Sequence, residues 1–301
     1  MSLSRGWLAA SLLLVLPLTA AAQELEPGAY WPIPKGLNIV TVVNNINWGD
    51  VAFDPAAPID EASATINTTA VAYARAFALM GRSANASVMV PIVAGHVEGL
   101  YLGEFAEVGR FGQGDPRMKL AVNLYGAPSM TPKEFASYQQ GRIVGVSLTV
   151  APPLGQYDPA KLINLGTNRW SFKPELGVSS TRGKWVIEGM AGVWLFTDND
   201  EFVGGRTREQ DPVFAYQVHL TYKFNRGMWL AADANFYTGG QTTIGGKTNL
   251  DLQKNSRAGF TFSKSLARGH AFRVSVSDGA YTTIGAAFTS VAVGYNYAWL
   301  R

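Results

Sequence analysis

The residues of this 301-residue chain that could do chemistry recur at every second position instead of gathering in one motif. Arg169, Lys173 and Glu175 share one parity in "RWSFKPELGVS", as Arg117 and Lys119 do in "DPRMKLAVNLYG" and His219 and Lys223 in "FAYQVHLTYKF". Arg75, Glu188, Asp233, Arg257 and Arg273 occupy comparable places in weaker alternating stretches. Of these twelve, eight are basic and three acidic, with His219 left aside. An excess of Arg and Lys on one wall attracts anions, as rings of basic side chains do in anion-selective pores. Trp194 adds a ring face on which a cation or an aromatic solute could stack. The same charges could instead pair with each other and merely fill a narrow interior.

Other chemistries have weaker support. A serine hydrolase needs a nucleophile, a histidine and a group that orients it. The histidines are His96, His219 and His270, and no G-x-S-x-G occurs. His219 stands mid-strand on a polar face, the usual place of a hydrogen-bonded structural histidine, so no catalytic residue is assigned and no enzyme is expected. Asp198, Asp200 and Glu209 fall at the first, third and twelfth places of a calcium loop, but Phe202 and Val203 stand where an oxygen ligand and a glycine belong. "GRFGQGD" near Gly109 lacks the strand and helix that a phosphate loop needs and reads as a flexible loop. With no cysteine in the chain, thiol chemistry is excluded. No metal or cofactor site is expected.

The spacing of the charged residues belongs to strands, in which successive side chains point to opposite faces. Twelve segments alternate: Leu37–Trp48, Ala64–Leu79, Ala84–Ile92, the stretch after Asp115, Arg142–Ala151, the stretch around Trp170 to Val178, Trp185–Thr197, the stretch around Phe214 to Phe224, Gly227–Thr238, Asn255–Ser263, Ala271–Ser277 and Thr283–Leu300. Their connections alternate in length. Short turns carry "MGRS", "STRGKW", "FNRGMW" and "LARGHAF", whereas the links between them are long and rich in Gly, Pro and Asp. Short turns at one end and long loops at the other define an up-and-down membrane barrel. The segment 126–140 breaks the pattern, and its Thr131-Pro132-Lys133-Glu134 start has the form of a capped helical turn.

Composition agrees with this reading. Charged residues make up 16% of the chain, fewer than a water-covered surface uses, and Gly is abundant at 32. Trp185, Tyr222, Phe224 and Phe272 cluster near the short turns, and Tyr295, Tyr297 and Trp299 close the chain, as an interfacial girdle requires. The expected fold is an all-β, transmembrane, antiparallel up-and-down β-barrel of about twelve strands. Trp170, Phe172, Leu176 and Val178 then face lipid, and the charged set faces the lumen. A soluble sandwich with its faces reversed has the same alternation. Arg75 and Asp233 each share a face with aromatic residues; both are placed inside, because a charge facing lipid near the midplane costs about 2–4 kcal/mol.

The first 22 residues, with Arg5, an apolar run from Trp7 to Leu18 and small residues Ala20 and Ala22, read as a secretory signal peptide cut near Ala22. Residues 23–35 are expected as a periplasmic N-terminal segment and 36–301 as the barrel, with both termini in the periplasm. Removing Arg5 leaves a formal charge near +2, too balanced for a nucleic-acid partner.

The stretches "LEPGAYWPIPKGLN", "GDVAFDPAAPID", "GDPRMKLAVNLYGAP", "APPLGQYDPAKLINLGTNRWSFKPELGVS" and "TDNDEFVGGRTREQDP" together resemble the bacterial family named for the meta-pathway of phenol degradation. The resemblance runs from about Leu25 to Trp299. It implies an outer-membrane, transporter-like barrel connected with the catabolism of aromatic compounds, and it carries no catalytic residues. The end "AVGYNYAWLR", with Gly294, Tyr297 and Trp299, resembles the C-terminal signal read by the barrel-insertion machinery. The function expected is passive uptake of small organic, aromatic or anionic compounds. A binding or structural barrel without transport, or an outer-membrane hydrolase, are the alternatives. Outer-membrane lipid and small organic solutes are the expected partners.

Overall fold

A computed structural model describes residues 25–52, 59–225, 227–266 and 269–300. The signal peptide expected at 1–22 lies outside the described residues, as do Arg226 and Arg268 of two short turns.

The first half of the chain contributes β1 (Leu37–Ala52), β2 (Ile59–Leu79), β3 (Arg82–Tyr101), β4 (Glu104–Gln113), β5 (Arg117–Tyr125), α1 (Pro132–Ser137) and β6 (Arg142–Ala151). After these come β7 (Ser171–Arg182), β8 (Trp185–Phe196), β9 (Asn199–Phe202), β10 (Arg206–Gln210), β11 (Val213–Asn225) and β12 (Met228–Gly239). The chain ends with β13 (Thr242–Ile244), β14 (Lys247–Thr248), β15 (Gln253–Ser265), β16 (His270–Tyr281) and β17 (Gly285–Leu300).

Twelve of these strands form a closed antiparallel ring: β1, β2, β3, β5, β6, β7, β8, β11, β12, β15, β16 and β17, with β17 returning to pair with β1. Each matches one of the twelve alternating segments in the sequence. Closure leaves no unpaired edge in the ring, the condition for backbone to cross hydrocarbon. Leu176, Val178, Phe214, Val218, Leu220, Val293 and Trp170 are exposed on the outer wall, while Arg169, Lys173, Glu175, His219 and Asp233 are buried inside. The expected orientation of "RWSFKPELGVS" therefore holds.

The girdle is built from touching rings. Trp185 and Tyr222 meet edge to face at 4.8 Å, Tyr222 and Phe224 at 5.1 Å, and Tyr297 stacks on Trp299 at 5.6 Å. Arg75 belongs to this level and corrects the sequence reading. It is exposed on the outer face with Val71 and Tyr73, while Ala70 and Ala76 point inward. Its place four residues from the end of β2 lets a long side chain reach the headgroup layer, which removes the cost of a charge at the midplane. The inward alanines leave room for the chain entering beside them, whose Gly36 N–H donates to the Ala76 carbonyl at 2.9 Å.

Two long connections hold more order than their sequences suggest. "GRFGQGD", read as a flexible loop, lies largely in β4, which pairs with the outer end of β3. The Asp198–Glu209 stretch, weighed as a calcium loop, forms the hairpin of β9 and β10, which joins β13 and β14 in a separate four-stranded sheet. Phe202 is buried in that hairpin. The expected helical turn is present as α1, with Thr131 and Glu134 completing a reciprocal capping box.

Candidate functional site

Residues 25–35, part of the segment 23–35 expected as a periplasmic lead-in, run into the barrel and contact its inward-facing side chains. The end near the short turns is tied by Lys35 N–H donating to the Met130 carbonyl at 2.8 Å and by the Gly36 bond to β2. From there the segment rises through the lumen. Trp31 meets Trp229 edge to face at 5.6 Å and lies under the Lys223 ammonium at 4.0 Å. Gly28 N–H donates to Glu188 at 3.0 Å, Glu26 N–H donates to Gln217 at 3.1 Å, and the Glu26 carboxylate pairs with Lys119.

Tyr30 is the anchor. Its hydroxyl lies 3.0 Å from Ser147 Oγ and 3.1 Å from the Glu175 carboxylate, and its carbonyl accepts from Asn123 Nδ2 at 3.1 Å. The ring sits against Gly145 on β6 and Gly177 on β7, which pair directly across the two strands. A Cβ at either glycine would come closer than 3.0 Å to Tyr30 ring carbons. Two side-chain-free positions thus form a socket for one aromatic ring. Glu175, which receives the hydroxyl, is held in turn by Lys173 at 2.8 Å.

Around this segment the lumen wall carries a polar band. His219 Nδ1 lies 2.6 Å from Asp233 Oδ1, and the other oxygen of Asp233 accepts from Thr261 at 2.6 Å, with Ser275 at 3.1 Å from Thr261. Glu188 pairs across strands with His219. Among the described residues His219 Nε2 has no hydrogen-bond partner. Arg257 donates to Ser277 and to the Phe288 carbonyl, stitching β15 to β16 and β17. Arg273 lies over the Trp229 ring at 5.2 Å. Trp229 also faces inward, so Asp233 and Trp229 share the lumen without conflict.

Arg117 and Lys173 flank Trp194 at 6.0 and 5.7 Å from its ring. Trp194 packs with Val213, Ala215, Tyr237 and Phe196 to make an aromatic wall on the side of the long loops. Leu165, from the long connection before β7, is buried against Val51, Ile66, Val93 and Phe288, and β9, β10, β13 and β14 form their small sheet from the other long connections. The inward set thus comprises Arg117, Lys119, Arg169, Lys173, Glu175, Glu188, His219, Lys223, Asp233, Arg257 and Arg273. Arg75 alone of the sequence candidates lies outside. Sequence reading missed Glu26, Tyr30, Trp31 and Arg208, because they belong to segments without alternation. The pair Gly145 and Gly177 was the available signal: glycines interrupting two strands mark a close approach.

The Glu26 carboxyl is deep in the barrel, yet 35% of its side chain still meets open lumen. Burial pushes its pKa up, but the charges of Lys119, Lys173 and Arg117 outweigh that and hold it at about 2, against 4.5 for an ordinary glutamate. A lowered pKa means that this contact stabilises docking fully above the ordinary value and fades as pH falls toward about 2. Conductance in planar bilayers is therefore expected to stay level from about pH 7 to about pH 5, whereas Glu26→Gln raises it at either pH. A step in the native protein within that range would contradict the assignment.

A comparison with the curated proteins found none that match. Among solved structures, an outer membrane channel from Pseudomonas putida F1 superposes with a TM-score of 0.78 at 20% identity, covering 92% of this chain and 100% of that one. The transport unit of the autotransporter AIDA-I from Escherichia coli gives a TM-score of 0.52 at 7% identity, covering 94% and 96%. At these identities the likeness concerns the fold: a closed barrel of the outer-membrane kind. The family model described as "Putative MetA-pathway of phenol degradation" matches residues 55–291, and the chain belongs to that family.

Proposed function

We propose that this barrel lies in the bacterial outer membrane and acts as a passive route for small organic compounds, aromatic or anionic, without catalysing a reaction on them. The observation that carries this reading is the pairing of a polar lumen with an aromatic, base-rich wall above a segment that occupies the lumen without joining the barrel ladder. Trp194 and Phe196 offer ring faces, and Arg117, Lys173 and Arg169 supply positive charge beside them. Basic groups inside still outnumber acidic ones once Arg75 is removed and Glu26 is added. The family's name and the channel from Pseudomonas putida point to the same class of role. Export through the leader and insertion through the C-terminal strand complete the proposed path to the membrane. Outer-membrane lipid then wets the apolar exterior.

Flux through proteoliposomes tests the reading. Benzoate, phenol and glucose would be loaded outside, and their entry measured against empty vesicles. Entry of benzoate or phenol ahead of glucose is the expected result, with a reversal potential that favours anions. No entry of any of the three would favour a binding or structural barrel instead.

A further inference from the structure

Arg169 and Arg208 are buried guanidinium groups brought together by two different loops. Arg169 precedes β7 and is 4% exposed; Arg208 sits in β10 and is 6% exposed. On β10, Arg208 and Gln210 share one face, and Gln210 Oε1 accepts from Arg169 Nη2. That bond leaves Arg169 Nε and Nη1 buried without a partner among the described residues. No salt bridge to Arg169 or Arg208 is found among the described residues. Asp115 and Asp251 are engaged elsewhere: Asp115 accepts from Gly155 and Thr167, and Asp251 accepts from Thr242. Burial, and after it the charge of Arg208, hold Arg169 well below the usual guanidinium range, with Asp115 and Asp198 opposing only in part.

The surroundings are aromatic. Arg169 lies over the Phe196 ring at 4.3 Å, and Phe196 packs on the wall of Trp194, whose Nε1 is also buried and unpartnered among the described residues. Buried charges and donors left unmatched cost stability unless something supplies acceptors. A planar carboxylate does so for guanidinium groups, and an attached ring extends over aromatic faces.

We propose that Arg169 and Arg208, with the rings of Phe196 and Trp194, form a binding site for an aromatic monocarboxylate just inside the mouth lined by the long loops. As a stop on a transport route the site rests on the function proposed above; as a binding site it is measured independently. The carboxylate takes the free donors of Arg169 and neutralises the charge of Arg208. Its ring lies against the aromatic wall. Phenol has the ring without the charge, and cyclohexanecarboxylate has the charge without the flat ring, so each fills half of the site.

The test is calorimetric titration of the full-length, detergent-purified protein with benzoate, cyclohexanecarboxylate and phenol. Benzoate is expected to bind saturably and at least severalfold more tightly than either half-ligand. Arg169→Gln and Arg208→Gln should each weaken benzoate at least tenfold, and Arg169→Lys, which keeps charge without the planar fork, should weaken it too. Heat-modifiable migration on gels reports whether each variant retains the barrel. Arg208→Gln lies outside the barrel ladder and carries the test should Arg169→Gln fail to fold. Benzoate affinity equal to the parent in a folded Arg169→Gln or Arg208→Gln protein overturns the site. Tight, arginine-dependent binding with no benzoate entry into proteoliposomes would leave the site standing and remove the transport reading. Entry without binding would do the reverse.

Discussion

Deleting residues 25–35 should raise single-channel conductance severalfold while leaving the barrel folded. The segment contributes no strand to the ring, and all twelve ladders close without it. Apart from the Lys35 bond to the Met130 carbonyl, its main bonds are to inward side chains: Glu26 to Lys119 and Gln217, Gly28 to Glu188, Tyr30 to Ser147 and Glu175. Each of those groups can be hydrated once the lumen floods, because polar side chains facing water lose little when a protein partner leaves. The deletion also removes the Glu26 carboxylate, so the reversal potential should move further toward anions. Planar-bilayer recordings at two salt gradients measure both effects. An unchanged conductance would mean that the loop before β7 and the small sheet close the lumen without help from the N-terminal segment.

A second variant should open the same lumen by displacing the anchor instead of removing it. Gly177 has a backbone conformation open to any residue, so Gly177→Val suits the strand itself. Its side chain would, however, occupy the space of the Tyr30 ring. Overpacking of this kind costs about 1–3 kcal/mol, which shifts the seated segment toward release about five- to 150-fold. The ring can yield by leaving, whereas the barrel wall is held by ladders on both sides of β7. Conductance of Gly177→Val should approach that of the deletion. Combining it with Tyr30→Ala removes the clash together with the anchor, so the double variant should stay about as open as Gly177→Val alone. A Gly177→Val channel as closed as the parent, with normal gel mobility, would show that the segment is not seated by the glycine pair.

These two variants act on parts of the molecule with different legibility. The ring was readable because a strand with one face in lipid and one in a polar lumen must alternate over its whole length, and "FAYQVHLTYKF" does so without interruption. Most of the lumen set followed, since once Leu220 faces lipid, His219 and Thr221 can only face inward. Arg75 was misplaced because its depth matters as much as its parity. A charge is costly at the midplane and tolerated at the headgroups, and depth depends on where the strand ends cross the membrane.

The order inside the long connections was less visible. "GRFGQGD" continues a strand, and β9 with β10 folds against β13 and β14 from a different loop. No periodicity in either loop records the other, because their pairing is set by which strand ends closure makes neighbours. The N-terminal segment is the extreme case. "LEPGAYWPIPKG" has no alternation, and its partners Asn123, Ser147, Glu175, Glu188 and Gln217 lie on five separate strands.

The sequence by itself determined the wall: twelve amphipathic strands, their faces, the girdle and the pool of basic residues inside. These depend on local parity and on solvent contrast between hydrocarbon and water. Only the tertiary structure decided what fills the wall. The seat of Tyr30 between Gly145 and Gly177, and the meeting of Arg169 with Arg208, arise from chain-distant groups made adjacent by ring closure. No local pattern encodes such adjacency, because each residue's own preference is already satisfied without its partner.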